Sequence, residues 1–266
     1  MKKQNEWIRE VFDRAAPQYG EKDSSFFTYF GKRLVEQAKV EPYHHVLDVG
    51  TGKGAILFPL TKIINSKGKI TGIDVSEQML SETSVRLAKK GVNRVDLLRM
   101  DAENLCFPEN SFDFVFCGFC FSFFLSPSQA LSQFKRVLKP GGSLVFSTWA
   151  ENSELDNLIE SQINQIQPTT SFVKTSNWNE SKLHKICKRA GFHNVQIEKE
   201  NKIFTHDTVD AWWNSLWSHA TRALLEQLSA DQLENCHQST LEKTAAITVG
   251  KTLEEELKVL YGFAKC

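Results

Sequence analysis

The chain has no excess of charge of either sign, because 32 basic side chains balance 32 acidic ones among its 266 residues. A protein that binds nucleic-acid phosphates usually carries a basic excess, so we expect no nucleic-acid partner. Long apolar runs are also missing. The most apolar stretch, Phe114–Leu125, is far shorter than the ~20 residues of a membrane-spanning helix. The charged start MKKQNEWIREVFDR lacks the apolar segment of a signal peptide, so we expect neither a membrane span nor export.

Cysteine pairs with the spacing of a metal site are missing as well. Cys117 and Cys120 form one C-x-x-C, but no second pair and no paired histidines follow them. We therefore expect no metal site. The six scattered cysteines are expected to be buried thiols of a protein in the reducing cytoplasm. With 41% apolar and 24% charged residues, the composition is typical of a soluble globular protein.

Apolar strands alternate with helical segments through the first 150 residues. Short apolar segments end at Asp48, Asp74 and Asp101, and SFDFVFCG and SLVFSTW follow them. This alternation predicts an α/β fold with a parallel, doubly wound sheet, in which ligands bind at the carboxyl ends of the strands. The predicted parts of the chain are an N-terminal helical lid at 1–43, an α/β core at 44–206, a helical cap at 207–250 and a final strand at 251–266.

The segment HVLDVGTGKGAI places three glycines two residues apart, directly after the first strand. Gly50, Gly52 and Gly54 lack a Cβ, so their backbone amides can approach a ligand closely. Read strictly, GTGKGA also satisfies the dinucleotide pattern G-x-G-x-x-A. Two ligands therefore compete for this corner, a nicotinamide dinucleotide and S-adenosylmethionine.

The acidic residues at the strand ends favour S-adenosylmethionine. Asp48 can help to hold a cationic ligand end, but it would oppose a nearby pyrophosphate. Asp74 is placed to accept hydrogen bonds from both ribose hydroxyls, as either ligand would need. Asp101 is suited to accept a hydrogen bond from an adenine amino group, although a helix cap or a solvated turn is the alternative interpretation.

In their order along the chain, VLDVGTGKG, GIDVSEQML, MDAENLCFPENSFDFVF and FKRVLKPGG resemble class I S-adenosylmethionine-dependent methyltransferases. The ubiquinone/menaquinone-type enzymes and their small-molecule relatives are the most similar group, and FDRAAPQYG resembles their N-terminal stretch. The resemblance covers roughly residues 8–149. It implies a Rossmann-like, seven-stranded, mostly parallel sheet with a helical cap, in which the last strand, about 256–264, inserts antiparallel.

The resemblance also implies which residues hold S-adenosylmethionine, with S-adenosylhomocysteine as the product. The implied cofactor-binding set is Asp48, Gly50, Thr51, Gly52 and Gly54 around the methionine part, Asp74 at the ribose, Val75, Met79, Asp101 and Ala102 around the adenine, and Cys117 and Phe119 along the cofactor. Tyr19 belongs to a segment that folds over the site. Lys53 departs from the family pattern, and we expect its ammonium to point to solvent because a cation near a sulfonium is unfavourable.

The acceptor is expected to enter beneath the lid and the cap, where HDTVDAWWNSLWSHATRALL supplies tryptophans and histidines. The candidates for the acceptor pocket are Tyr19, Phe123, Trp213 and Trp217, and packing is the alternative interpretation of the tryptophans. The candidates for proton transfer are His219, His206 and Tyr19. Methyl transfer depends mainly on positioning, so the sequence does not require a dedicated catalytic residue.

Absent motifs narrow the predicted chemistry. The [Asn/Asp]-Pro-Pro-Tyr segment of amino-group methylases is replaced by CGFC, and Ser122 and Phe123 stand where many relatives carry a histidine pair. We therefore predict a hydrophobic small-molecule acceptor, methylated at oxygen or carbon. The alternatives are a non-catalytic S-adenosylmethionine-binding scaffold or regulator, and a nicotinamide-dependent oxidoreductase, for which a Tyr-x-x-x-Lys set is missing. The sequence does not predict an oligomeric state.

Overall fold

The computed structural model describes residues 2–20, 25–166, 178–245, 248 and 252–266. Its centre is a seven-stranded sheet with the strand order β3-β2-β1-β4-β5-β7-β6. The strands are β1 His45–Val49, β2 Lys69–Asp74, β3 Val95–Arg99, β4 Phe112–Gly118, β5 Leu138–Glu151, β6 His193–His206 and β7 Leu253–Lys265. Strands β1 to β5 pair in parallel, and β7 pairs antiparallel with both β5 and β6. The predicted doubly wound sheet and its antiparallel last strand are confirmed.

Ten helices surround the sheet in the described part of the chain. They are α1 Lys2–Ala15, α2 Phe26–Gln37, α3 Leu57–Thr61, α4 Glu77–Lys89, α5 Pro127–Val137, α6 Glu154–Ile166, α7 Glu180–Arg189, α8 Val209–Ser215, α9 Arg222–Leu225 and α10 Ala230–Thr244. Short 3-10 turns span Phe121–Phe123 and Leu216–Ser218. Local chemistry starts several of the helices: the Ser76 hydroxyl accepts the Met79 amide at α4, and Ser126 caps α5 ahead of Pro127.

Two apolar clusters cover the two faces of the sheet. Helices α5 and α7 pack on one face, for example through Phe134 and Leu183, and α2 and α3 pack on the other, through Leu34 and Leu57. Helix α2 is therefore part of the core, and within the predicted lid the covering position belongs to α1 and residues 16–20. The burial of both sheet faces agrees with the continuous apolar character of the central strands.

A third apolar cluster forms the cap. Helices α8, α9 and α10 contribute to it, and α6, which the domain prediction placed in the core, packs there too. Trp212 is 1% exposed and lies in the middle of this cluster. All six cysteines are free thiols. No helix in the described ranges is both long and apolar enough to cross a membrane.

Candidate functional site

One cavity of about 210 Å³ lies at the carboxyl ends of the parallel strands. The ends of four neighbouring strands contribute to its wall: Gly50 follows β1, Asp74 ends β2, Asp101 follows β3 and Phe119 follows β4. The strand order places β2, β1 and β4 side by side, so these side chains converge although they lie far apart in sequence. This is the position at which open parallel sheets bind ligands.

The glycine corner after β1 forms a tight backbone loop against this cavity. Gly50 and Gly52 have φ values of +64° and +50°, which favour glycine. A Cβ on Gly50 would overlap the Cys120 sulfur, and a Cβ on Gly52 would lie 3.7 Å from the ring of Tyr19. The third glycine, Gly54, lies outside the cavity lining and has a local packing role, because a Cβ there would meet the Phe58 ring at 2.8 Å.

Asp74 holds the glycine corner to the second strand. Its Oδ2 accepts a hydrogen bond from the Gly52 amide and its Oδ1 accepts one from the Ser76 amide, both at 2.9 Å. Desolvation raises the pKa of Asp74 to about 6, although the amide hydrogen bonds act in the opposite direction. The carboxylate lines the cavity, so a ligand hydroxyl that donated to it would favour its charged form.

Asp48 is 1% exposed and lies behind the same corner, beside a second cavity of about 40 Å³. Its Oδ2 accepts the Thr51 hydroxyl at 2.6 Å. Its Oδ1 is buried and accepts no hydrogen bond of good geometry among the described residues, although the Leu57 amide lies near enough to lower the pKa of the carboxyl. Desolvation raises the pKa of Asp48 to about 7, against the hydrogen bond from Thr51. A buried carboxylate oxygen without a hydrogen bond of good geometry is costly, and a ligand cation would lower that cost.

The lid, formed by α1 and residues 16–20, covers the glycine corner. Tyr19 stacks on Phe27 with ring centroids 4.9 Å apart, and Phe12 meets Phe123 edge to face at 5.1 Å. The prediction that Lys53 points to solvent is wrong, because the residue is only 5% exposed. Its ammonium donates to the Pro17 carbonyl at 3.2 Å, because the lid brings this carbonyl over the glycine loop. Lys53 thus ties the lid to the loop.

The two cavities contain most of the predicted cofactor residues. The large one is lined by Gly50, Gly52, Asp74, Val75, Met79, Asp101, Ala102 and Phe119, and the small one by Asp48, Thr51, Gly50, Gly52 and Phe119. Cys117 lies in neither lining. Its side chain is fully buried in the apolar cluster under α5, because β4 directs it into the core. Cys120, which the prediction did not include, lines the large cavity instead and donates its thiol to the Gly118 carbonyl at 3.2 Å.

Some of the residues predicted for the acceptor pocket and for proton transfer line the large cavity, and others do not. Tyr19, Phe123 and His219 line the large cavity, whereas Trp213, Trp217 and His206 do not. Trp213 stacks on His237 inside the cap, with ring centroids 4.5 Å apart. The neighbouring Trp212 faces the cavity in its place, a difference of one position along α8. Trp149, at the end of β5, also lines the cavity and lies 4.4 Å from Phe119 between ring centroids. Its place at a strand end was the signal that could have identified it.

Asp101 belongs to a local turn and also lines the large cavity. Its Oδ1 accepts the Glu103 amide at 2.9 Å, as in a local turn, and the residue also lines the cavity beside Ala102. Glu103 continues this turn, because its carboxylate accepts the Leu125 amide at 2.6 Å ahead of α5. The turn therefore holds Asp101 at the edge of the site.

Known proteins resemble the chain over the same region. A family model described as a methyltransferase domain matches residues 47–146. The chain is 33% identical over 141 residues to the aklanonic acid methyltransferase DauC of Streptomyces sp. (strain C5). This alignment covers 53% of this chain and 64% of that protein. The chain is 33% identical over 143 residues to a demethylmenaquinone methyltransferase of Listeria monocytogenes serotype 4a (strain HCC23), which covers 52% of this chain and 60% of that protein.

The solved structure of the YcgJ protein from Bacillus subtilis has a TM-score of 0.63 and covers 89% of this chain and 98% of that one. At 21% identity this likeness concerns the fold alone. The matches to the two methyltransferases span less than two thirds of the length of those proteins. The family match identifies residues 47–146 as similar to a methyltransferase domain, and the sheet order agrees with that likeness.

Proposed function

We propose that the chain binds S-adenosylmethionine in the large cavity, against the glycine corner. It transfers the methyl group to a small, hydrophobic acceptor at oxygen or carbon, in the cytoplasm. The observation that carries the proposal is the buried Oδ1 of Asp48 beside the glycine corner, which accepts no hydrogen bond of good geometry among the described residues. A cationic donor suits this carboxylate, whereas a pyrophosphate would add negative charge next to it. The family match and the two methyltransferase relatives support the same reaction.

The described residues fit the parts of this donor. Asp48 and the amides of the glycine corner suit the methionine end, Asp74 suits the ribose hydroxyls, and Asp101 with Ala102 suits the adenine edge. A dinucleotide fits less well. Its pyrophosphate needs the amino end of a helix directly after the glycines, but α3 has only five residues and begins three residues after Gly54.

The donor supplies a methyl group already activated by its sulfonium, so the chain's main task is to orient the reactants and exclude water. Aromatic rings suit that task. Phe27 meets Phe119 at 5.6 Å and Phe26 meets Trp149 at 5.8 Å between ring centroids, and all four residues line the cavity. Orientation of this kind can contribute about 7–11 kcal/mol to the lowering of a barrier.

Calorimetry with S-adenosylhomocysteine and NADH tests the donor, and a labelled-methyl screen tests the reaction. We expect S-adenosylhomocysteine to bind and NADH to bind weakly or not at all. We also expect at least one apolar acceptor to receive label from S-adenosylmethionine. Tight binding of NADH alone would end the proposal. Donor binding without labelling of any acceptor class would favour the scaffold alternative.

We expect S-adenosylhomocysteine to bind more weakly as the pH falls from about 8 to about 5.5. The pKa values of Asp48 and Asp74 are raised to about 7 and about 6 in the free protein. An ammonium and ribose hydroxyls favour the charged carboxylates, so protons compete with the ligand below these values, by up to about tenfold per pH unit for each group. A dissociation constant that stayed flat over this range would contradict the assignment.

The same shifts set the sign of the effect on stability. A carboxyl whose folded pKa is raised stabilises the fold below its unfolded pKa, and this contribution is lost as the pH rises through the folded value. Asp48 and Asp74 therefore destabilise the free protein above about pH 7 relative to acidic pH. We expect saturating S-adenosylhomocysteine to raise the Tm more at about pH 8 than at about pH 5.5. Melting curves at both pH values measure this difference.

A further inference from the structure

The acceptor side of the large cavity contains titratable side chains that the proposed function has not used. They are Glu151, Asp156, Glu160, His219 and Glu255. The four carboxylates of this set and those of Asp74, Asp101 and Glu103 on the donor side make seven carboxylates in the cavity lining. The described lining includes no lysine or arginine. Such a cavity disfavours an acceptor with a negative charge. The same carboxylates favour the protonated form of an amine acceptor, and an ammonium has no free electron pair with which to attack the methyl carbon.

Among oxygen nucleophiles, a neutral hydroxyl group is compatible with the negative charge of the cavity. This hydroxyl must lose its proton as it attacks the methyl carbon. The loop after β4 provides no proton acceptor. Ser122 and Phe123 do not titrate near neutrality, and the hydrogen bond with Cys117 and burial raise the pKa of the Cys120 thiol. The acceptor for that proton therefore has to come from β5, β7 or the cap.

The carboxylates on this side are engaged by other groups. Lys258 and Lys199 contact Glu151 at 3.1 and 3.4 Å and lower its pKa, so two ammonium groups already engage this carboxylate. Asn152 donates to Glu160 at 3.2 Å.

The two remaining carboxylates belong to a network around Ser153. Glu255 accepts the Ser153 hydroxyl at 2.9 Å through Oε1 and contacts His206 Nε2 at 3.1 Å through Oε2. Asp156 and Ser153 bond reciprocally at the start of α6, because the Ser153 amide donates to the Asp156 carboxylate at 3.2 Å and the Asp156 amide donates to the Ser153 hydroxyl at 3.0 Å. This network builds the amino end of α6 and fixes both carboxylates. Desolvation, with the nearby Glu255, raises the pKa of Asp156 to about 7, so Asp156 is the rival proton acceptor in the cavity.

His219 differs from these groups. It lines the cavity, its ring meets Phe26 edge to face at 6.1 Å, and no described residue hydrogen-bonds its ring nitrogens. Desolvation lowers the pKa of His219 to about 4, with Glu255 acting in the opposite direction and His206 in the same direction. The ring is therefore neutral near pH 7 and keeps a free electron pair on one nitrogen.

We infer that His219 accepts the proton of a hydroxyl group of the acceptor, and that the acceptor is methylated on this oxygen. The inference rests on the proposed function. The O–H bond breaks and its proton moves to a ring nitrogen of His219, while an oxygen electron pair forms the bond to the methyl carbon. The carbon–sulfur bond breaks, and its electron pair stays on the sulfur of S-adenosylhomocysteine. The nearby Glu255 carboxylate stabilises the imidazolium until its proton passes to water.

The test uses the full chain, labelled S-adenosylmethionine and sets of phenols, enols, alcohols, carboxylic acids and amines built on the same carbon skeletons. We expect label in ethers of the hydroxyl compounds, identified by mass spectrometry, and little in esters or methylamines. His219→Gln should lower kcat about 10²–10⁴-fold, the usual loss of a general base. KM and the affinity for S-adenosylhomocysteine should change by less than about threefold.

His237→Gln is the matched control, because His237 belongs to the same cap but lies outside the cavity, where it contacts Asp210 at 2.9 Å. It should retain the activity of the unmodified chain. The inference is overturned if His219→Gln keeps most of its kcat, if Asp156→Asn with an unchanged melting temperature loses more, or if label goes to carboxylates, nitrogen or carbon. Donor binding without labelling of any compound would instead count against the proposed function.

Discussion

Gly50→Ala is expected to weaken binding of S-adenosylhomocysteine by about 1–3 kcal/mol, the usual cost of forcing a methyl group into a packed site. The added Cβ would overlap the Cys120 sulfur at the wall of both cavities. The backbone there also has a φ of +64°, which an alanine adopts only with strain. Isothermal titration of the purified variant measures the loss.

Gly91→Ala separates the two causes. Gly91 has nearly the same φ, +66°, but it lies at the end of α4, and a Cβ there would meet no atom within 4 Å. We expect both variants to lose a similar backbone contribution to stability, about 1 kcal/mol, while only Gly50→Ala loses ligand affinity. Equal affinities in the two variants would show that the corner does not contact the ligand.

Asp74→Ala is expected to weaken S-adenosylhomocysteine binding by about 1–3 kcal/mol, the range for loss of hydrogen bonds to a charged group. The carboxylate acts twice, because it lines the cavity and also accepts the amides of Gly52 and Ser76. Its removal therefore takes away a ligand contact and loosens the glycine corner. We expect the association to slow as well, since the loop then has more conformations to lose.

Asp96→Ala is the control for this change. Asp96 lies on the neighbouring strand β3, and its exposed side chain pairs with Lys69 at 2.7 Å. Exposed pairs of this kind contribute about 0–1 kcal/mol, so we expect little change in stability and none in ligand affinity. If Asp74→Ala behaved like Asp96→Ala, the ribose would have to bind elsewhere.

Much of the site was predictable because each of its parts follows a local pattern. Asp48, Asp74 and Asp101 each stand at the end of an apolar strand, and parallel strands bring their carboxyl ends to one edge of a sheet. The glycine corner was predictable for the same reason, since closely spaced glycines directly after a strand indicate a tight turn. Nothing in these arguments requires knowledge of distant contacts.

The cap and the lid were harder to predict, because their side chains face whatever packs against them. Trp212 and Trp213 are neighbours on one helix and point about 100° apart, so the docking of α8 decides which one reaches the cavity. Lys53 is buried, and its ammonium contacts both the Pro17 carbonyl of the lid and the Glu82 carboxylate of α4. Both outcomes depend on contacts between segments that are distant in sequence.

The sequence by itself determined the local features of this protein. These are the apolar strands, the capped helices, the glycine corner and the acidic residues at the strand ends. These features depend on a few neighbouring residues and on the fixed geometry of parallel strands. Tertiary structure alone decided that Cys120 rather than Cys117 meets the cavity, that Lys53 is buried, and that His219 lines the cavity without a hydrogen bond to its ring nitrogens from any described residue. The physical reason is that burial and facing are properties of packed surfaces, which form only when segments far apart in the chain come together.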